Sequence, residues 1–234
     1  TVGEFVRRKN LAELVMAYHL EFGPHEPVKL LIKTGREGQH PEACRADVLA
    51  ACAEVKAGLK LYEGGLPQHY QEEAVLTDRL SRERLFGLHQ ACDCFVQASM
   101  AEAWSIPAFD AMALGRTPVV PDWGGYPDYV DDGTGWLVPC REVPVYRCPE
   151  GFVDLYTARE TWGVPDLAGL RAAMRRAYED GDLRRRKSTE GRARASAYSY
   201  GAVGARMRRF LEESLRGRGG CPREPAHAAL EGTA

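Results

Sequence analysis

Glu102 and Asp110 stand eight positions apart within DCFVQASMAEAWSIPAFDAMALGRTPVVPDWGGYPDYVDDGTGWLV, residues 93–138. Between them lie Ala103, Trp104, Ser105 and Ile106, followed by Pro107. A helix opening at Ile106-Pro107 has backbone amides at its start with no acceptor inside the helix. An anionic or oxygen-rich ligand seated there could meet both carboxylates. Arg8 and Lys9 supply two adjacent cations of the kind that neutralises a diphosphate. Each feature also has an ordinary structural use. Acids near a helix start are stabilised by the dipole, by roughly 0.3–1 kcal/mol, a basic turn is commonly a solvated one, and water can satisfy helix-entry amides.

Other chemistries find little support. No GxSxG, Walker or HExxH pattern occurs, which removes the hydrolase, P-loop and zincin readings. The six histidines are scattered with no motif around them. Seven cysteines form an odd set without paired CxxC spacing, so no metal site is expected and reduced thiols fit a cytoplasmic location. Net charge is -2, which offers no global field for nucleic acid, and no partner of that class is expected. No run approaches the ~18 apolar residues of a membrane span.

The elements that must position these groups alternate. Thr1 to Val6 reads as a strand with no preceding cap or linker, as though the chain began inside a domain. A helix is expected over Asn10 to Phe22, with Leu11, Leu14, Val15, Tyr18 and Phe22 at helical spacing. Strands are expected at Val28–Lys33, Ala74–Thr77, Asp93–Gln97, Thr117–Pro121 and Thr134–Val138, and helices near 41–61, 82–91, 106–115 and 127–130. Pro107 suits the first turn of its helix and Gly115 the left-handed residue that ends it. Unbroken apolar strands alternating with helices predict an α/β fold, a doubly wound parallel six-stranded sheet. Ligands of such sheets bind at the carboxyl ends of the strands, which places Arg8, Lys9 and the loop 99–105 on one edge. Residues 139–164, broken by Pro139, Pro144 and Pro149, read as an irregular excursion. Leu167 to Tyr178 and Val203 to Leu211 read as amphipathic helices packed on the sheet, and residues 217–234 as a disordered tail.

The order aspartate, apolar strand, small residues, Glu102, Ala103-Trp104-Ser105, Pro107, Asp110, Ala-Met-Ala, Pro-Val-Val, Gly-Gly and Asp-Gly-x-Gly resembles the nucleotide-sugar-binding core of GT-B fold retaining glycosyltransferases, specifically family 4 (glycosyl transferases group 1). RRKNLAELVMAYHLEF and WGVPDLAGLRAAMRRAY resemble further segments of the same family. The resemblance implies that residues 1–216 form a Rossmann-like donor-binding domain, with the N-terminal acceptor domain absent from the chain. It implies transfer of a hexosyl group from a UDP- or GDP-sugar, without metal or other cofactor, to a saccharide or lipid-linked acceptor. Peripheral membrane association of the full-length enzyme is compatible with such acceptors.

Carried over by position, Glu102 matches the glutamate that contacts the donor sugar, and Asp110 the one that holds the ribose. Lys9 and Arg8 match the basic residues that bind the diphosphate. Ala103, Trp104 and Ser105 match a Gly-Phe-Gly segment whose amides, with that of Ile106 at the helix start, face sugar or phosphate. The sequence departs from the family where Ala103 and Ser105 replace glycines and where Asp110 is one methylene shorter than glutamate. A non-catalytic nucleotide-sugar-binding module and a nucleotide-sugar 2-epimerase are the alternatives, and no histidine near the motif fits the second.

Overall fold

Short apolar runs and well-capped helices decide where the elements form. The computed structural model describes residues 1–60, 62–63, 66–67, 70–146, 156 and 159–217. After a 3-10 turn at Arg7–Lys9 come α1 (Leu11–Glu21), β1 (Leu31–Lys33), α2 (Pro41–Leu59), a small ribbon of β2 (Tyr62–Glu63) and β3 (Leu66–Pro67), and β4 (Ala74–Leu76). Then follow α3 (Arg82–Ala91), β5 (Cys94–Val96), α4 (Ile106–Ala113), β6 (Thr117–Pro121) and β7 (Trp136–Val138). The chain continues with β8 (Cys140–Pro144), β9 (Thr161–Pro165), α5 (Leu167–Glu179), α6 (Gly181–Ser196) and α7 (Tyr200–Gly217).

The strands are parallel where the crossover helices require it. β1 pairs with β4, Ile32 opposite Val75, and β6 lies between β5 and β7, with Phe95 opposite Pro118 and Val119 opposite Trp136. The first expected strand forms only one bridge, Val2 to Lys33, although Gly3 N also donates to Lys33 O at 3.1 Å and Phe5 N to Gly35 O at 2.8 Å. One buried core joins both groups of strands: Ile32 and Val75 share it with Ala98, Val119 and Val138, beneath Leu14, Val48 and Leu170 of α1, α2 and α5. α4 and α6 pack on each other and both meet β6.

Helix ends are closed by local bonds and, after α4, by the glycine expected there. Ser81 Oγ accepts from Arg84 N at 3.3 Å, Asp166 Oδ2 from Gly169 N at 2.6 Å, and Gly115 takes φ 75° after α4. Two expectations change, and one helix was not anticipated. Residues 127–130 make a turn without a helix, Val130 N bonding to Tyr126 O at 2.9 Å. The excursion contains an antiparallel pair, β8 with β9, because Val143, Trp162 and Val164 supply strand-forming residues and the prolines Pro144 and Pro165 fall at strand ends. α6, which has no apolar stripe, is held through Lys187, Gly191 and Ala195. A methyl on Gly191 would come within 2.8 Å of the Met112 side chain.

The chain divides into two compact units, Thr1–Ser196 and Ala197–Ala234. In the second, α7 forms as expected, with Met207, Phe210 and Leu211 exposed. The tail expected over residues 217–234 lies, from residue 218 onward, outside the described residues. Among the described residues no helix is long and apolar enough to cross a membrane, and no cluster of three potential metal ligands occurs. Cys44, Cys52, Cys92, Cys94 and Cys140 are free thiols.

Candidate functional site

Three of the sequence-derived residues meet at the carboxyl edge of the sheet. The 3-10 turn after residues 1–6 carries Arg8 and Lys9, and the loop after β5 carries Glu102. The Lys9 ammonium donates to Glu102 Oε1, and Arg8 Nη1 approaches the same oxygen at 3.5 Å and Ala101 O at 3.2 Å. Ser99 Oγ adds a third donor to Glu102 Oε1, at 2.8 Å. The Glu102 side chain is only 9% exposed, so it is a largely desolvated carboxylate with two cations and a hydroxyl on one oxygen. Main-chain bonds fix the two loops to each other: Met100 N donates to Arg8 O at 2.8 Å. Beside Lys9 a cleft opens, lined by Gly3, Glu4, Lys33, Thr34 and Gln97.

The loop is held from the other side by Gly124 and Gly125. Gly125 N donates to Glu102 O at 2.9 Å, and a Cβ at Gly125 would sit 2.0 Å from Ala103 O. Gly124 has φ 65°, and a Cβ there would lie 2.4 Å from Glu102 O, so this turn requires glycine twice over. Trp104 stacks against Tyr129 at 4.7 Å and Phe109 at 5.5 Å between centroids, which anchors the loop's middle.

Ser105 and Ile106 start α4. Ser105 takes the left-handed conformation, φ 59° and ψ 78°, the geometry for which a glycine is ordinarily used. It is stabilised there by two bonds, its Oγ donating to Gln97 Oε1 at 2.8 Å and its carbonyl accepting from Tyr129 Oη at 3.4 Å. Ala103 and Ile106 are exposed, on the side a ligand could reach. The amide of Ile106, as the first of the helix, has no acceptor within it. Asp110 stands one turn further along α4 and is not brought into the Lys9–Glu102 cluster. Burial raises its carboxyl above the ordinary range, partly offset by Arg82.

Sequence reasoning placed Ser99 in the candidate loop without giving it a role, and did not single out Gln97. Both are buried polar residues at the end of an apolar strand, and that polarity was the available signal. Tyr126, beside Gly125, is fully buried, and burial pushes its phenol upward.

A family model described as glycosyl transferases group 1 matches residues 1–144. No curated protein matches the sequence. Solved structures share the fold. Sucrose-phosphate synthase from Thermosynechococcus elongatus aligns with TM-score 0.63 at 21% identity, over 92% of this chain and 45% of its own. The C-terminal domain of a glycosyl transferase group 1 family protein, LpcC, from Francisella tularensis aligns with TM-score 0.57 at 15% identity, over 84% of this chain and 82% of its own. HepE of Anabaena, in complex with UDP-glucose, aligns with TM-score 0.58 at 16% identity, over 92% and 47%. The chain therefore spans less than half the length of the first and third of these proteins.

Proposed function

The chain belongs to the glycosyl transferases group 1 family, and from that membership we propose that it is the donor-binding half of a retaining GT-B glycosyltransferase. Its substrate is a nucleoside-diphosphate hexose, and its product a glycoside of an acceptor hydroxyl. The observation that carries this reading is the convergence of Lys9 and Arg8 on Glu102, beside the start of α4. Two cations next to a helix N-terminus suit a leaving diphosphate, whose growing charge they stabilise without a metal ion. Glu102 then accepts from donor-sugar hydroxyls, Ala103 to Ile106 present the loop and helix-start backbone, and Asp110 accepts from the ribose. The UDP-glucose complex of the Anabaena relative and the C-terminal domain from Francisella support a nucleotide-sugar donor and this half of the enzyme, respectively.

Acceptor recognition falls to protein outside these 234 residues, whether its acceptor is a saccharide or lipid-linked. The chain alone is expected to bind donor and to transfer nothing. Titration of UDP, UDP-glucose, GDP and GDP-mannose into wild type and Glu102→Ala tests the assignment. The wild type is expected to prefer a sugar nucleotide over its parent nucleotide, and the variant to lose that preference. An unchanged preference would remove Glu102 from the sugar site.

A further inference from the structure

The antiparallel pair β8–β9 does more than cover the sheet. Its return strand touches the Glu102 loop by two routes. Gly163 N, in the middle of β9, donates to Met100 O at 3.0 Å, and Met100 N in turn donates to Arg8 O at 2.8 Å. The peptides on both sides of Met100 are thereby fixed, two residues before Glu102. Met100 is itself buried in a small apolar cluster with Val145 and Trp162, which includes Ala101 and Val164 at its edge. The second route runs through Trp123. A Cβ at Gly163 would lie 2.2 Å from Trp123 Cγ and 2.4 Å from Cδ2, so the indole rests directly on the Gly163 backbone. Trp123 precedes Gly124 and Gly125, and Gly125 N holds the Glu102 carbonyl.

Both routes bear on the same short loop, one at Met100 and the other at the Glu102 carbonyl. We infer that Gly163 is a positioning residue of the donor site, and that β9 acts as a clamp setting the position of the Glu102 carboxylate toward the sugar. This rests on the donor-binding reading given above. The clamp lies outside residues 1–144, the portion matched by the family model. Any side chain at position 163 must move either Trp123, and with it the Gly124–Gly125 turn, or β9, and with it the bond to Met100 O. A shift on the order of 1 Å in a group that meets substrate is enough for a large loss.

The test compares wild type, Gly163→Ala and Trp162→Leu, all as the full chain, by calorimetric titration with UDP, UDP-glucose, GDP and GDP-mannose and by thermal unfolding. Trp162→Leu thins the apolar seat beneath Met100 without adding a clash, so it serves if Gly163→Ala does not fold. The sugar preference, the ratio of nucleotide to sugar-nucleotide dissociation constants, is expected to fall about tenfold in Gly163→Ala and about threefold in Trp162→Leu. Affinity for the parent nucleotide is expected to stay within about threefold. Wild type that prefers the sugar nucleotide, with variants of the same preference, overturns the clamp while leaving the donor reading intact. Equal weakening of nucleotide and sugar nucleotide marks a merely structural glycine and also overturns it. Wild type that binds none of the four ligands overturns the donor reading and the clamp with it.

Discussion

The ammonium of Lys9 and the carboxylate of Glu102, 93 residues apart in sequence, are hydrogen-bonded to each other. In the proposed donor site they have different targets, diphosphate for Lys9 and sugar hydroxyls for Glu102. The carboxylate therefore draws on a cation that the diphosphate also needs. Glu102→Gln removes that competition and leaves Lys9 and Arg8 with uncompensated charge. UDP is expected to bind about 3- to 10-fold tighter to the variant, a difference of roughly 0.7–1.4 kcal/mol. UDP-glucose is expected to lose its advantage over UDP. Calorimetry at low and moderate salt checks both. Weaker UDP binding in Glu102→Gln would show that the carboxylate does not compete for Lys9.

Lys9→Met changes the opposite partner. The methionine keeps much of the stem that lies over Gly3, whose Cβ would sit 3.6 Å from Lys9 Cδ. Glu102 retains Ser99 at 2.8 Å and Arg8 at 3.5 Å, so the loop should stay folded. Loss of a charge-assisted bond to phosphate is expected to weaken UDP and UDP-glucose alike, by about tenfold or more. The salt dependence of binding should become shallower in the same measurements. Uniform loss distinguishes a diphosphate ligand from a sugar contact, which would affect only UDP-glucose.

Ser105 occupies a backbone conformation that disfavours side chains, and its hydroxyl bond to Gln97 is the local compensation. Both residues are buried, at 5% and 2% exposure, so removing the hydroxyl leaves Gln97 Oε1 without that donor in a dry setting. Ser105→Ala is expected to lower unfolding stability by about 1–3 kcal/mol. Ser105→Gly loses the same bond but relaxes the left-handed backbone, and should be less damaging by up to about 1 kcal/mol. Urea unfolding of the three proteins gives the order wild type, Gly, Ala. A variant Ser105→Ala as stable as wild type would mean that Gln97 contributes nothing to the turn.

Much of this site was legible because its parts obey local rules. Pro107 and Gly115 bracketed α4, and the apolar runs at β5 and β6 located the edge on which Arg8, Lys9 and Glu102 converge. What escaped depends on contacts between distant segments. Nothing in CREVP or TWGVP announces that two proline-flanked stretches pair, because short strands gain their identity from the partner. Gly163 carries no motif, and only the seat of Trp123 shows why it has no side chain. α6 was invisible to periodicity, since Gly191 and Ala195 bury backbone against α4 rather than an apolar stripe. Asp110 was expected to meet the same ligand as Glu102, and the charge that bears on its carboxyl is Arg82 of α3.

Away from the site, Glu73 predicts the acid limit of the fold. Its side chain is 1% exposed, just before β4, where His19 Nε2 of α1 donates to Oε1 and Lys56 Nζ of α2 donates to Oε2 at 3.0 Å. Burial alone would raise this carboxyl. Bonds from His19, from its own amide and from Lys56 outweigh burial and lower it to about 2. A folded-state value below the ordinary 4.5 means that the ionised form stabilises the native state. That contribution is fully present above about pH 4.5 and is lost as the pH falls through about 2, and a shift of this size corresponds to roughly 3 kcal/mol. Glu73→Gln should therefore be less stable than wild type at pH 7 and pH 5, with the gap narrowing at pH 3 and nearly closed at pH 2. Urea unfolding at these four values measures the gap. A difference that stays constant from pH 7 to pH 2 would show that the ionisation of Glu73 does not hold α1 and α2 to β4.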